Sequence, residues 1–203
     1  MVSREHHIYF IVLFLFLFSL SAAAADNASP HQTVAKLIDT IRKLKTEGSL
    51  SSKELKTNRD LSYRALALLD LEEVSRKALG KYWNKRTSKE KKGFVDLLSR
   101  MFVKEAFPNS GKFFSTLKLV FGKTKIKKSK ARVPLTVIHM EEGEIIIDFH
   151  LRRKQDQWQV VDVDLDEISM RNNLRAQVYK IIAKNNYQEL VRRMNEKLKE
   201  TNS

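Results

Sequence analysis

The segment "QWQVVDVDLDEISMRNN", residues 157–173, sets Asp162, Asp164 and Asp166 at alternate positions, with Glu167 beside the last. Alternating carboxylates have two chemical uses. One is the D-x-D-x-D opening of a calcium loop, which requires Gly at its sixth position and Glu at its twelfth. Counted from Asp162, those positions hold Glu167 and Asn173, so the calcium reading fails on both. The other use is a paired-carboxylate site, since residues two apart on a strand share a face. Asp162 and Asp164 meet that condition, yet no nucleophile or base stands near them in the sequence. His31, His139 and His150 lack metal-ligand spacing. No metal, no cofactor and no catalytic residue is expected. A corner explains the segment better: Asp164, Asp166 and Ser169 stand just before a helix, where side-chain oxygens accept from free N–H groups and favour the helix dipole.

The elements around that corner follow from hydrophobic period. Val34, Leu37, Ile38, Ile41 and Leu44 have helical spacing and predict a first helix over about residues 31–46. Leu61, Ala65, Leu68 and Leu69 mark a second helical segment. "DLEEVSRKALG" opens with Asp70 and has Glu73 three residues on, like a capping box, and stops at Gly80. "TSKE" at 87–90 repeats the device and opens a helix with Phe94, Leu97, Leu98, Met101 and Phe102 on one stripe, expected to end before Pro108. From about 119 to 165 the period becomes two, giving strands joined by turns at "EEG" and "KQDQ". A three-residue loop at 141–143 sets Val133, Leu135 and Val137 opposite Leu151, Phe149 and Ile147, with His139 opposite Ile145. A two-residue loop sets Leu135 against His150 and Val137 against Asp148. Burial of one face selects the first register. Leu174, Val178, Ile181 and Ile182, then Tyr187, Leu190, Val191, Met194 and Leu198, make two closing helices over about 169–200. A helical part (about 31–118), a sheet (about 119–165) and these helices give an α+β architecture, a curved antiparallel sheet covered by amphipathic helices.

Residues 1–25 read as a secretory signal peptide: a polar start, the apolar run "IYFIVLFLFLFSL", and an A-x-A cleavage site before Asp26. The apolar run is short against the ~20 residues that span a bilayer. Residues 26–203 are then expected to form one exported domain. The segment removed holds one base and one acid, so the net charge of +14 is unchanged. There is no cysteine, which suits a bacterial envelope protein that is stable without disulfides. The charge raises nucleic acid as a partner, but export and the lack of aromatic interleaving argue against it. Attraction to anionic lipid or to an acidic protein surface fits better. The one local run, "KTKIKKSKAR" at 123–132, offers Lys123, Lys125, Lys127, Lys128 and Lys130 as a docking surface.

Several motifs occur in an order that resembles a known family. "LDLEEVSRKALGKYWNKRTSKEKKGFVDLLSRMF" has an acidic opening, then Leu79, Gly80, Tyr82 and Trp83, then Thr87, Glu90 and Phe94. "WQVVDVDLDEISMRNNLRAQV" supplies Trp158, Val160, Asp162 and Val163 on a strand, then Ser169, Asn173 and Arg175. Over roughly residues 33–198 the chain resembles the MlaC/toluene-tolerance family of periplasmic phospholipid-binding proteins. It departs from that pattern at Glu167, where a Gly is usual, and at "KNNY", where a Gly often sits. The resemblance implies an NTF2-like sheet and helices around a deep apolar cavity. It also implies a carrier, not an enzyme, that shuttles phospholipid between an inner-membrane ABC/MCE-type transport complex and an outer-membrane lipoprotein complex, maintaining outer-membrane lipid asymmetry; a monomer is expected. The alternatives are an NTF2-like enzyme using Asp148, His150 or Asp162, a carrier of another lipid such as a hopanoid, and a basic adaptor with an ordinary core.

Magnitude says what such a carrier must do. A ~16-carbon acyl chain, at about 0.8 kcal/mol per buried CH₂, loses roughly 13 kcal/mol on entering water. Half-covering the chain does not offset that, so the tails must be enclosed. The expected tail pocket comprises Val133, Leu135, Val137, Ile145, Ile147, Phe149 and Leu151 on the sheet and Phe94, Leu98, Met101 and Phe102 on the helix.

Overall fold

The computed structural model describes residues 28–139 and 143–200. The signal-peptide reading of residues 1–25 lies outside them. Helix α1 (Pro30–Ile41) starts at a complete capping box, Ser29 with Gln32, and has Pro30 in its first turn, where a missing N–H costs nothing. It ends earlier than its apolar period suggests. The chain leaves through tight bonds from Lys43 N–H to the Thr40 carbonyl and from Leu44 N–H to that of Ile41, and Leu44 still packs on the core. Helix α2 (Ser52–Leu66) has its own capping box at Ser51 and Glu54, and α3 (Leu71–Leu79) is capped by Asp70. A 3₁₀ turn (Gly80–Lys85) leads to α4 (Ser88–Met101), where the Thr87–Glu90 capping box is complete.

Pro108 does not end this helical run. A π turn (Phe102–Ala106), closed by Phe107 N–H on the Phe102 carbonyl, leads directly into α5 (Phe107–Ser115), with Pro108 in its first turn. The widened ladder removes the need for a proline N–H and turns the apolar stripe of α5 toward α1. Contact there is close: a Cβ on Gly111 would stand 2.4 Å from the Ile41 carbonyl oxygen.

The sheet contains β1 (Lys118–Phe121), β2 (Lys125–Lys127), β3 (Lys130–His139), β4 (Gly143–Lys154), β5 (Gln157–Leu165) and β6 (Ile168–Ser169). Its order is β1-β3-β4-β5-β6, antiparallel throughout, with β2 also paired to β3. Helices α6 (Met170–Lys184) and α7 (Tyr187–Glu200) close the chain. The architecture is α+β.

The β3–β4 register differs from the sequence expectation by two residues. Val133 faces Phe149, Leu135 faces Ile147, Val137 faces Ile145 and His139 faces Gly143. Gly143, at φ +82°, takes the left-handed conformation at the start of β4, which glycine adopts without strain, and its pairing with His139 centres the turn one residue earlier than a loop over 141–143. A shift of two keeps every side chain on its face, and Val133, Leu135, Val137, Ile147, Phe149 and Leu151 are all buried.

The other face carries the polar ladder. Asp148 pairs across β4–β5 with Asp164, and His150 with Asp162. Arg132 reaches Asp148 in a short ion pair, which holds the guanidinium even more firmly protonated than usual. His150 Nε2 lies 2.6 Å from Asp164 Oδ2. A register shift beside His150 and Leu151 puts a bulge in β5, which bends the strand and raises its local twist. Beyond it, Val160 exchanges hydrogen bonds with Leu68 and Asp70, covering that edge of β5.

Two apolar cores result. One joins the sheet face to α1 and α5; the other joins α3, α4, α6 and α7 around Leu79, Phe94 and Leu198. Phe102 packs against both. Among the described residues, no helix is long and apolar enough to cross a membrane.

Candidate functional site

Between the sheet and the helices lies a cavity of about 540 Å³, inside the range of ~300–1,000 Å³ that ligand pockets occupy. Helix α1 gives it Leu37, Ile38 and Ile41, and the π turn and α5 give Phe102, Ala106, Phe107, Phe113 and Phe114. The sheet supplies Ile147, Phe149, Val160, Val161, Val163 and Leu165; Leu69 and Val74 complete one wall, and Met170 and Leu174 of α6 another. Among the described residues that line it, only Asn109, Ser110, Asp162 and Arg171 are polar. The wall is therefore almost wholly apolar, and an apolar enclosure suits hydrocarbon. Phe113, Leu165 and Met170 line it and are also 36–38% exposed, which marks the mouth. Ile168, paired with Leu165 and 60% exposed, extends an apolar rim beside it.

Asp162 secures this rim. Its carboxylate accepts from Val163 N–H (2.9 Å), Arg171 N–H (3.0 Å) and the Ser169 hydroxyl (2.7 Å), and pairs with the Arg171 guanidinium at 3.1 Å. Ser169 in turn accepts from Asn172 N–H as the α6 N-cap. The corner expected at Asp164, Asp166 and Ser169 thus takes Asp162 as its principal carboxylate. Asp164 instead meets His150, and Asp166 accepts from Ile146 N–H on the neighbouring strand. Asp148 and His150 do not line the cavity. Among the described residues, no cluster of three or more His, Cys, Asp and Glu has the arrangement to hold a metal ion.

The chain residues 31–196 match the family profile described as MlaC protein. The chain belongs to the MlaC family. A solved structure, a phospholipid-binding protein from Ralstonia solanacearum in complex with a phospholipid, superposes with a TM-score of 0.69 at 14% identity, covering 87% of this chain and 99% of that one. At that identity the likeness carries the fold. No curated protein matches the chain.

Within this MlaC fold, the residues expected to form the tail pocket divide into groups. Phe102, Ile147 and Phe149 line the cavity. Val133, Leu135, Val137 and Leu151 are buried in the sheet core and do not line it, and Ile145 packs at that core's edge. Phe94 and Leu98 fill the second core, with Met101 packed against it. Lys123, Lys125, Lys127, Lys128 and Lys130 are all exposed on β2, the start of β3 and the connections beside them. The walls from α1, α5, β5 and α6 were not singled out by sequence reasoning. "EAFPNSGKFFSTL" carried the signal, since three phenylalanines and Gly111 lie on one short segment. The stop expected at Pro108 hid it.

Proposed function

We propose that this MlaC-family chain is a periplasmic carrier that encloses the acyl chains of a phospholipid and moves it between membrane complexes of an ABC-type lipid transport system. The observation that carries the reading is the cavity: about 540 Å³, walled by apolar side chains on sheet and helices, and open at an apolar mouth. The bound phospholipid of the Ralstonia relative supports the ligand class. Loss of roughly 13 kcal/mol per bare tail in water requires such an enclosure. Tails are held by Phe102, Ile147 and Phe149 with the α1, α5 and β5 walls, and the headgroup stays at the mouth. The exposed lysines of the β2–β3 segment then act at longer range, in docking to acidic partner surfaces, an effect that fades with salt.

A catalytic reading has less support. Both Asp162 oxygens are engaged by Val163, Ser169 and Arg171, and Asp148 and His150 lie off the cavity wall.

Solvent extraction of protein purified from its native envelope, followed by mass spectrometry, should release about one phospholipid per chain. Ile147→Asp places a charge in the wall at a position 3% exposed and should abolish loading, with folding checked by circular dichroism. Neutralising Lys125, Lys127 and Lys128 should leave loading intact and slow transfer to partners. Ligand-free native protein that takes up no lipid from vesicles refutes the proposal.

A further inference from the structure

A second pocket, of about 360 Å³, lies at the other end of α6 and shares no lining residue with the cavity. Its character is opposite. Lys85 and Arg86 line it with Asn185, Asn186, Tyr187 and Gln188, and no acid is among its described lining residues. Arg86 is held in place from two sides. It donates to Glu90 Oε1 at 3.2 Å and stacks 4.7 Å from the Tyr187 ring centre. Tyr187 is itself fixed, its hydroxyl donating to the Glu90 carbonyl, and burial pushes that phenol above its ordinary pKa. Yet the Arg86 Nε is fully buried and meets no acceptor among the described residues. Glu90 cannot turn to it readily, because its other oxygen accepts from Thr87 N–H at 2.8 Å in the capping box.

A guanidinium with an N–H left without an acceptor carries an incompletely neutralised charge, and an anionic oxygen at its exposed edge is its best partner. The surroundings add positive charge. Lys81 stacks over Tyr82 and Tyr179, and Lys91 over Trp83. Tyr82 and Trp83 belong to the "LGKYW" segment on which the family resemblance rests, and neither lines the apolar cavity. Tyr82 instead lines the polar pocket and holds Lys81 over its ring.

We propose that this pocket is a second binding site, for a phosphate group, supplied either as free phosphate or on a phospholipid headgroup. A tetrahedral oxyanion offers several acceptors at once: one for the Arg86 guanidinium, whose side chain keeps 19% exposure, one for the Lys85 ammonium, and others for the amide N–H groups of Asn185, Asn186 or Gln188. The apolar cavity and its tails are not involved, so the site stands or falls independently of the carrier function.

Titrating inorganic phosphate against chloride into the lipid-loaded protein at constant ionic strength, followed by ¹H–¹⁵N NMR, should move the Arg86 Nε–H signal and the Asn185 and Asn186 side-chain amides together. Arg86→Lys, and Lys85→Gln at an exposed position where folding is safe, should each weaken binding roughly tenfold. Lys53→Gln, the same charge change at an exposed site on α2, should leave it unchanged. Phosphatidylglycerol vesicles that compete for the Arg86 signal assign the site to a headgroup; vesicles that do not compete assign it to free phosphate. Absent shifts overturn the proposal, as does an effect of Lys53→Gln equal to that of Lys85→Gln. Phospholipid content measured on the same samples reads the carrier function separately.

Discussion

Replacing Asp162 with Ala tests whether the opening corner is structural and whether it holds the cavity mouth. The carboxylate is buried, with 4% side-chain exposure, and serves two backbone N–H groups, one hydroxyl and one guanidinium. Losing a net hydrogen bond costs about 1 kcal/mol, and a donor left buried without a partner about 1–3 kcal/mol. The Arg171 side chain, 24% exposed, recovers some water, so its ion pair adds at most about 1 kcal/mol. Together these give a loss of about 3–5 kcal/mol, or a fall in Tm on the order of 10 °C for a domain of this size. Asp162→Asn keeps one acceptor oxygen and should cost less, about 1–3 kcal/mol. Urea unfolding followed by tryptophan fluorescence measures both, and lipid retention in the folded variants reports on the mouth. Asp162→Ala should also release lipid faster, because β6 and the α6 N-terminus lose their common anchor. A stability loss under about 1 kcal/mol, or an Asn variant as unstable as Ala, refutes the reasoning.

Other changes separate core from cavity. Phe94→Ala, at a fully buried site of the helical core, should cost about 3–5 kcal/mol in chemical denaturation while lipid content per folded molecule stays unchanged. Gly111→Ala drives a Cβ against the Ile41 carbonyl at 2.4 Å; a loss of about 1–3 kcal/mol with reduced lipid uptake is expected, since α1 and α5 form adjoining walls. Acid titration should show stability falling below the ordinary carboxylate range. Glu54 is held down to about 2 by its hydrogen bond from Lys45 and then by the Ser51 N–H, and Glu189 to about 2 by Arg192 and Arg193. Their folded pKa values lie below the unfolded 4.5, so their contribution is present above that value and is lost as pH falls toward 2. Replacing Glu54 and Glu189 together with Gln should flatten the acid limb of a melting-temperature profile.

The sequence by itself determined the elements and their faces. Periods of 3.6 and 2 are properties of a local backbone, so the stripe on α4 and the alternation along β3 and β4 are written residue by residue. Capping works within four residues, which is why Ser169 and the Thr87–Glu90 box were visible. The apolar face of β3 and β4 held even though the register moved by two, because parity survives such a shift. The family resemblance lay in the spacing of short motifs, which the fold then placed around α3, α4 and the β5 corner.

Tertiary structure alone decided which apolar residues fill a core and which face a void. Phe94, Leu98 and Phe102 share one sequence stripe, yet the first two pack against α6 and α7 while Phe102 lines the cavity. Val133 and Val137 share a face with Ile147 and Phe149, all four are buried, and of these the latter pair lines the cavity. Where the walls stand apart depends on the π turn before Pro108, the bulge beside His150 and Leu151, and the Asp162 anchor to Ser169 and Arg171. These fix angles between elements distant in sequence. Hydrophobic burial is non-directional and measures only area removed from water, so the same apolar residue satisfies a filled core or a cavity wall. The difference lies in the gap between elements, a property no single segment contains.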